Sequence, residues 1–111
     1  MATTIKYCAS QHQFVRNEYR KTSDRHKLSD EELKEVLSYK NISKDFEYNN
    51  WFGSSYNVTA TLDNVEINKY NEIVFTISLN KTIPEHYMPS PSQVLKGKGL
   101  LFPVSVSVYH N

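Results

Sequence analysis

The stretch YNVTATLDNVEINKYNEIVFTISL, residues 56–79, decides the fold class. Tyr56, Val58, Ala60 and Leu62 alternate with Asn57, Thr59 and Thr61, the period of a strand with one buried face. After Asp63 and Asn64 the apolar phase moves to Val65 and Ile67, which predicts a bulge or bend. Asn68-Lys69-Tyr70-Asn71 has the chemistry of a hairpin loop, and Ile73, Phe75, Ile77 and Leu79 return on a single face. An antiparallel hairpin is the expectation.

Upstream, Ser29 opens a helix. Ser29 and Glu32 have the spacing of a capping box, and Leu28 and Leu33 that of a hydrophobic staple. Asp30, Glu31 and Glu32 fill the first turn, where the helix dipole favours negative charge. Leu33, Val36 and Leu37 mark one apolar stripe with Tyr39 at its edge, and Asn41 is placed as a left-handed terminator. The helix is expected from about residue 29 to residue 40.

Downstream, Phe102, Val104, Val106 and Val108 alternate with Pro103, Ser105, Ser107 and Tyr109. This predicts a last strand, held to a sheet edge by its proline. Before it, residues 80–99 carry Pro84, Pro89, Pro91, Gly97 and Gly99 and are expected as a long irregular connection of the kind that often serves function. Two stretches stay open at this level. Residues 46–53 fit either a further strand turning at Gly53 or an aromatic loop. In residues 5–22, Ile5 to Cys8 suits a short strand, and Phe14, Val15 and Tyr19 suit helix or strand.

The expected architecture is α+β: one capped helix (about 29–40) followed by an antiparallel sheet of three to five strands. The sheet either packs on the helix or curls into a small curved barrel. The length of 111 residues suits a single domain, 1–111. Hydrophobic residues at 39% and aromatics at 13%, eight of them Tyr, can supply a core unaided. Cys8 is the single cysteine, which excludes an internal disulfide and a multi-cysteine zinc site. The first residues lack the pattern of a signal peptide, and no apolar run approaches a membrane span. A reducing, cytoplasmic location and no membrane partner are therefore expected.

Catalytic constellations are weak. Cys8 with His12, His26 or His86 would lack an oxyanion-binding turn. Cys8 and His12 with remote carboxylates make a poor metal pattern, so no metal and no cofactor are expected. A small acid-base nuclease using His12 or His86 with Glu85 and Lys96 needs only common residue types, and nothing fixes their spacing. Lys96-Gly97-Lys98-Gly99 lacks the ending of a phosphate-binding loop.

Charge is more informative. The net charge is only +1, yet Lys6 to Lys27 carries six Lys/Arg against two acids, while residues 28–50 carry three lysines against six acids. Arg16, Tyr19, Arg20, Lys21, Arg25 and Lys27, joined by Lys96 and Lys98 of the glycine turn, form the candidate binding set. The alternative role for these cations is a solvated face or internal pairing with the acidic helix. The aromatic group Phe46, Tyr48, Trp51, Phe52 and Tyr56 suits either core or interface.

Abundant Asn, Lys, Tyr, Ile and Ser with little Ala is what an AT-rich genome encodes, in keeping with a phage or mobile element; the location would then be the host cytoplasm. The leading expectation is a non-enzymatic regulator or inhibitor that acts by protein–protein contact on a host nuclease or polymerase. The alternative is a single-strand-type nucleic-acid-binding module using the basic run and the 96–99 turn, and the second alternative is the small nuclease. A homodimer through the 102–109 edge strand is a further option.

Overall fold

The structure, a computed structural model, describes residues 3–49, 53, 55–84 and 87–109. Its elements in chain order are β1 (Thr3–Ala9), β2 (Phe14–Val15), α1 (Asp30–Leu37), β3 (Ile42–Asn49), β4 (Ser55–Ile67), β5 (Ile73–Leu79), α2 (Pro91–Leu95), β6 (Phe102–Pro103) and β7 (Ser107–Val108). The α+β class holds. The main sheet is antiparallel and five-stranded in the order β3-β4-β5-β1-β7, and β2 and β6 form a second, two-stranded sheet. The main sheet does not close into a barrel, since β3 and β7 remain at its two edges.

Register places Ile5, Tyr7 and Ala9 opposite Ile77, Phe75 and Ile73, and Ala60, Leu62 and Val65 opposite Leu79, Ile77 and Phe75. All lie on one face, which carries the core together with Val36 of α1 and Val94, Leu95 and Leu101 around α2. The other face carries hydroxyls: Ser43 and Thr61 lie 2.8 Å apart, and the Thr59 hydroxyl donates to Asp45 Oδ1 at 2.6 Å. The expected bulge falls between Leu62 and Asn64. Its extra residue, Asp63, accepts a hydrogen bond from the Ser78 hydroxyl. In the hairpin loop Asn68 Oδ1 accepts the N–H groups of Tyr70 and Glu72 at 2.9 and 3.0 Å, and Asn71 is left-handed at φ 63°.

The capping box forms as expected, with Ser29 Oγ accepting from the Glu32 N–H at 3.2 Å and Glu32 Oε1 accepting from the Ser29 N–H at 3.1 Å. The helix itself is shorter than expected and ends at Leu37. The N–H groups of Ser38 and Tyr39 turn to the carbonyls of Glu35 and Val36 in a tightened last turn, after which Asn41 takes φ 55°. This turn carries Tyr39 into the core, where it is buried.

Two further expectations are corrected. Residues 80–99 are not an irregular connection throughout: Ile83, Pro89, Pro91, Val94 and Leu95 are buried, and α2 begins at Pro91 behind Ser90. Ser90 and Gln93 close a second capping box, with the Ser90 N–H donating to Gln93 Oε1 at 2.8 Å. The single last strand is split. Phe102 and Pro103 pair with Val15 and Phe14, whereas Ser107 and Val108 pair with Cys8 and Tyr7 in the other sheet. The Val104 N–H donates to the Gln13 carbonyl at 2.8 Å and so extends the β2–β6 register by one more residue before the chain crosses to β1. The continuous edge that a homodimer through residues 102–109 would need is therefore not formed, and Val108 is 42% exposed instead of inward. Residues 46–49 belong to β3, while Trp51 and Phe52 lie outside the described residues. Among the described residues no helix is long and apolar enough to cross a membrane.

Candidate partner-binding cleft

The basic run is neither helix nor strand beyond Val15. The Arg20 N–H closes a turn on the Asn17 carbonyl at 2.9 Å, and Asn17 Oδ1 accepts from the Tyr19 N–H at 2.7 Å. Asn17 thus lifts Tyr19 out of the surface as an Asx turn, leaving the residue 82% exposed. A short 3₁₀ turn at Thr22–Asp24 follows, and His26 then bridges back beside Phe14.

The loop faces α2 and β6 across a cleft of about 400 Å³. Val15, Phe102, Pro103 and Val104 form an apolar floor, while Glu18, Tyr19, Arg20 and Lys96 stand on the rim with Thr22, Ser92 and Gln93. The Ser92 hydroxyl donates to the Pro103 carbonyl and so fixes α2 against the floor. Across the ridge a second recess of about 230 Å³ shares Glu18, Tyr19 and Phe102 and adds Leu100, which is 60% exposed. The ridge is clasped by one long-range bond, from the Gly97 N–H to Glu18 Oε2 at 3.1 Å.

The eight sequence-derived candidates separate here. Tyr19, Arg20 and Lys96 meet in the cleft, and Lys21 lines a shallower recess beside Tyr19 and Arg20. Arg16 lines the second recess but donates to Glu32 Oε2 at 2.9 Å, Arg25 reaches Gln13 Oε1 at 3.4 Å, and Lys98 donates to the Ser43 carbonyl at 2.8 Å. Lys27 is exposed beside His26 and contributes nothing to the lining.

Glu32 is the most perturbed acid. Burial pushes its carboxyl up, but hydrogen bonds from the Ser29 N–H, His26 and Arg16 outweigh this and hold it at about 2. His26 Nε2 sits 2.9 Å from Glu32 Oε2, so one carboxylate caps α1 and anchors both ends of the basic loop.

Compared with known proteins, the chain matches no family model, no curated relative and no solved structure.

Among the described catalytic candidates Cys8, His12 and His26 do not line the cleft, whereas Lys96 does. Cys8 is half-buried on the hydroxyl face of β1, where burial and then the Glu72 charge raise its thiol against an opposing Ser107 hydrogen bond. Glu85 and His86 lie outside the described residues. Among the described residues no three His, Cys, Asp or Glu side chains gather as metal ligands. Sequence reasoning missed the floor, because Phe102, Pro103 and Val104 read as one strand, and it missed the clasp from Glu18, which read only as an interruption of the basic run. The exposed Leu100 had a signal in the run Leu100-Leu101-Phe102, which is too apolar for the end of a solvated turn.

Proposed function

We propose that this chain is a small binding protein, of the regulator or inhibitor kind, that seats a segment of a partner protein in the cleft between residues 15–22 and 92–104. One observation carries the reading: the floor is apolar and the rim mixes Glu18 with Arg20 and Lys96. A surface built to follow phosphates would align its cations along a continuous track. Here three of the eight candidates are held by internal partners, Arg16 by Glu32, Arg25 by Gln13 and Lys98 by a strand carbonyl. Tyr19 and Leu100 stand exposed at the two recesses, and large side chains flanking an apolar pocket are the usual anchors of a protein interface. A host nuclease or polymerase is the class of target in keeping with the composition.

The test compares wild type with Tyr19→Ala and Arg20→Ala as bait in a host-cell lysate and maps the captured complex by amide hydrogen exchange. The expected result is protection of residues 15–22 and 100–104, with capture lost in both variants while their melting temperatures hold. Tight binding of labelled single-stranded DNA or RNA that falls steeply with salt would overturn the reading in favour of nucleic acid.

A further inference from the structure

The outer edge of β3 offers a second surface, separate from the cleft. β3 pairs without a break in register from Ile42↔Leu62 to Asn49↔Ser55. It contains neither proline nor bulge, and the blunting device it does carry is charge, in Lys44, Asp45 and Glu47.

Three contacts fix which backbone groups face outward. Ser43 and Thr61, and likewise Asp45 and Thr59, bring their side chains within 2.8 and 2.6 Å, as residues do in the closely spaced, non-hydrogen-bonded pairs of an antiparallel ladder. Both backbone groups of Thr59 go the other way, its N–H to Asn80 Oδ1 at 3.0 Å and its carbonyl to the Asn80 N–H at 3.2 Å. The Ser43 carbonyl is met from outside by Lys98 Nζ at 2.8 Å. Ser43, Asp45 and Glu47 therefore turn their N–H and C=O groups to the open edge. Lys98 occupies the first of the three, and the outward groups of Asp45 and Glu47 have no partner among the described residues.

The side chains on either side of this edge define what can dock. Asp45 and Glu47 are exposed on the hydroxyl face. On the core face Phe46 stacks on Tyr48 with centroids 6.1 Å apart, Tyr48 stacks on Tyr87 at 5.4 Å, and Phe46 and Tyr48 stay half-buried.

We propose that the Asp45–Glu47 edge takes an extended segment of a partner protein as an added strand, one with cationic side chains alternating with apolar ones. The cations of that segment face Asp45 and Glu47, and its apolar residues extend the aromatic row. Backbone pairing supplies the attraction and the alternation supplies the selectivity. A second copy of this chain is the wrong occupant: antiparallel pairing of β3 with itself sets the two carboxylates against each other, and like charges directly opposite are unfavourable.

The probe is a fluorescein-labelled heptapeptide of alternating lysine and valine, titrated by fluorescence anisotropy, with a glutamate–valine heptapeptide as its opposite. The lysine peptide should bind roughly ten-fold or more tightly than the glutamate peptide and slow exchange at the Asp45 and Glu47 amides. Glu47→Pro should abolish binding, since the N–H it removes faces outward and serves no ladder bond. The double variant Asp45→Lys, Glu47→Lys should invert the preference and keeps the test decisive if the proline variant does not fold. Tyr19→Ala should leave all of this unchanged, which separates this edge from the cleft. Equal or absent binding of both peptides would overturn the proposal, as would protection confined to other amides. A wild-type dimer that the proline variant dissolves would overturn it in favour of self-pairing.

Discussion

The hydroxyl of Tyr39 accepts the backbone N–H groups of both Leu100 and Leu101, at 2.9 and 2.8 Å, and so ties the end of α1 to the chain that enters the cleft floor. Leu101 is fully buried, so its N–H has no recourse to water. Tyr39→Phe keeps the ring and leaves these donors unmet, at an expected cost of about 1–3 kcal/mol. Urea unfolding should show the loss as a lowered midpoint at an unchanged slope.

The same hydroxyl titrates late. Burial raises Tyr39 above its usual range against the opposing pull of the two N–H groups, and burial also raises Tyr48. In the unfolded chain both ionise near pH 10, whereas in the folded protein they hold their protons longer. The unfolded state therefore binds fewer protons there, and stability should fall as pH rises beyond 10. Tyr39→Phe should show a shallower alkaline decline in the same denaturation series.

At the acid end the controlling group is Glu32. Its folded value of about 2 lies below the ordinary 4.5, so its contribution is complete above pH 4.5 and is lost as pH falls towards 2. Glu32→Gln should be less stable than wild type near neutrality and show a flatter stability slope between those limits. Since Arg16 is largely exposed, salt should weaken the Arg16 share while leaving the cap to the Ser29 N–H in place.

Asn41, three residues beyond the Ser38 cap of α1, takes φ 55°, a conformation that costs a β-branched residue dearly. Asn41→Gly should be close to neutral, whereas Asn41→Val should lose about 1–2 kcal/mol. Thermal melts of the pair provide the comparison.

Gly97 takes φ 78° with open space around it, and its N–H holds Glu18. Gly97→Ala should cost about 1–2 kcal/mol through the backbone alone. Glu18→Ala should barely change the melting temperature yet speed exchange of the Gly97 amide, because it opens the clasp without touching the core.

Local chemistry made part of the fold legible in advance. Ser29 with Glu32, the phase change at Asp63 and Asn68 in the hairpin loop each act within a few residues of themselves, and each does what its side chain implies; Asn41 takes its left-handed turn, but α1 has already ended at Leu37. Ser90-Pro91-Ser92-Gln93 carries the same class of signal and was hidden among the prolines that suggested a loop. The divided course of residues 102–109 depends on which distant strand each half meets, and alternation alone is equally good for both. The site behaved likewise: Tyr19, Arg20 and Lys96 were named from charge and aromaticity, but their meeting over Phe102 and Pro103 is a property of chain pairing that no local window contains. Arg16, Arg25 and Lys98 carry the same charge as their neighbours, and only the tertiary contacts separate those held internally from those free to bind.

The pairing of Val15 with Phe102 and of Phe14 with Pro103 has a consequence for the order of events in the cell. Translation adds about 5–20 residues per second, so the strand that completes the cleft follows its partner by several seconds. Throughout that interval Phe14 and Val15 lack the chain that covers them, and Tyr19 and Arg20 stand beside no floor. On the proposed function, a partner finds no complete cleft until residues 102–104 have been made, so binding arrives abruptly instead of growing with chain length.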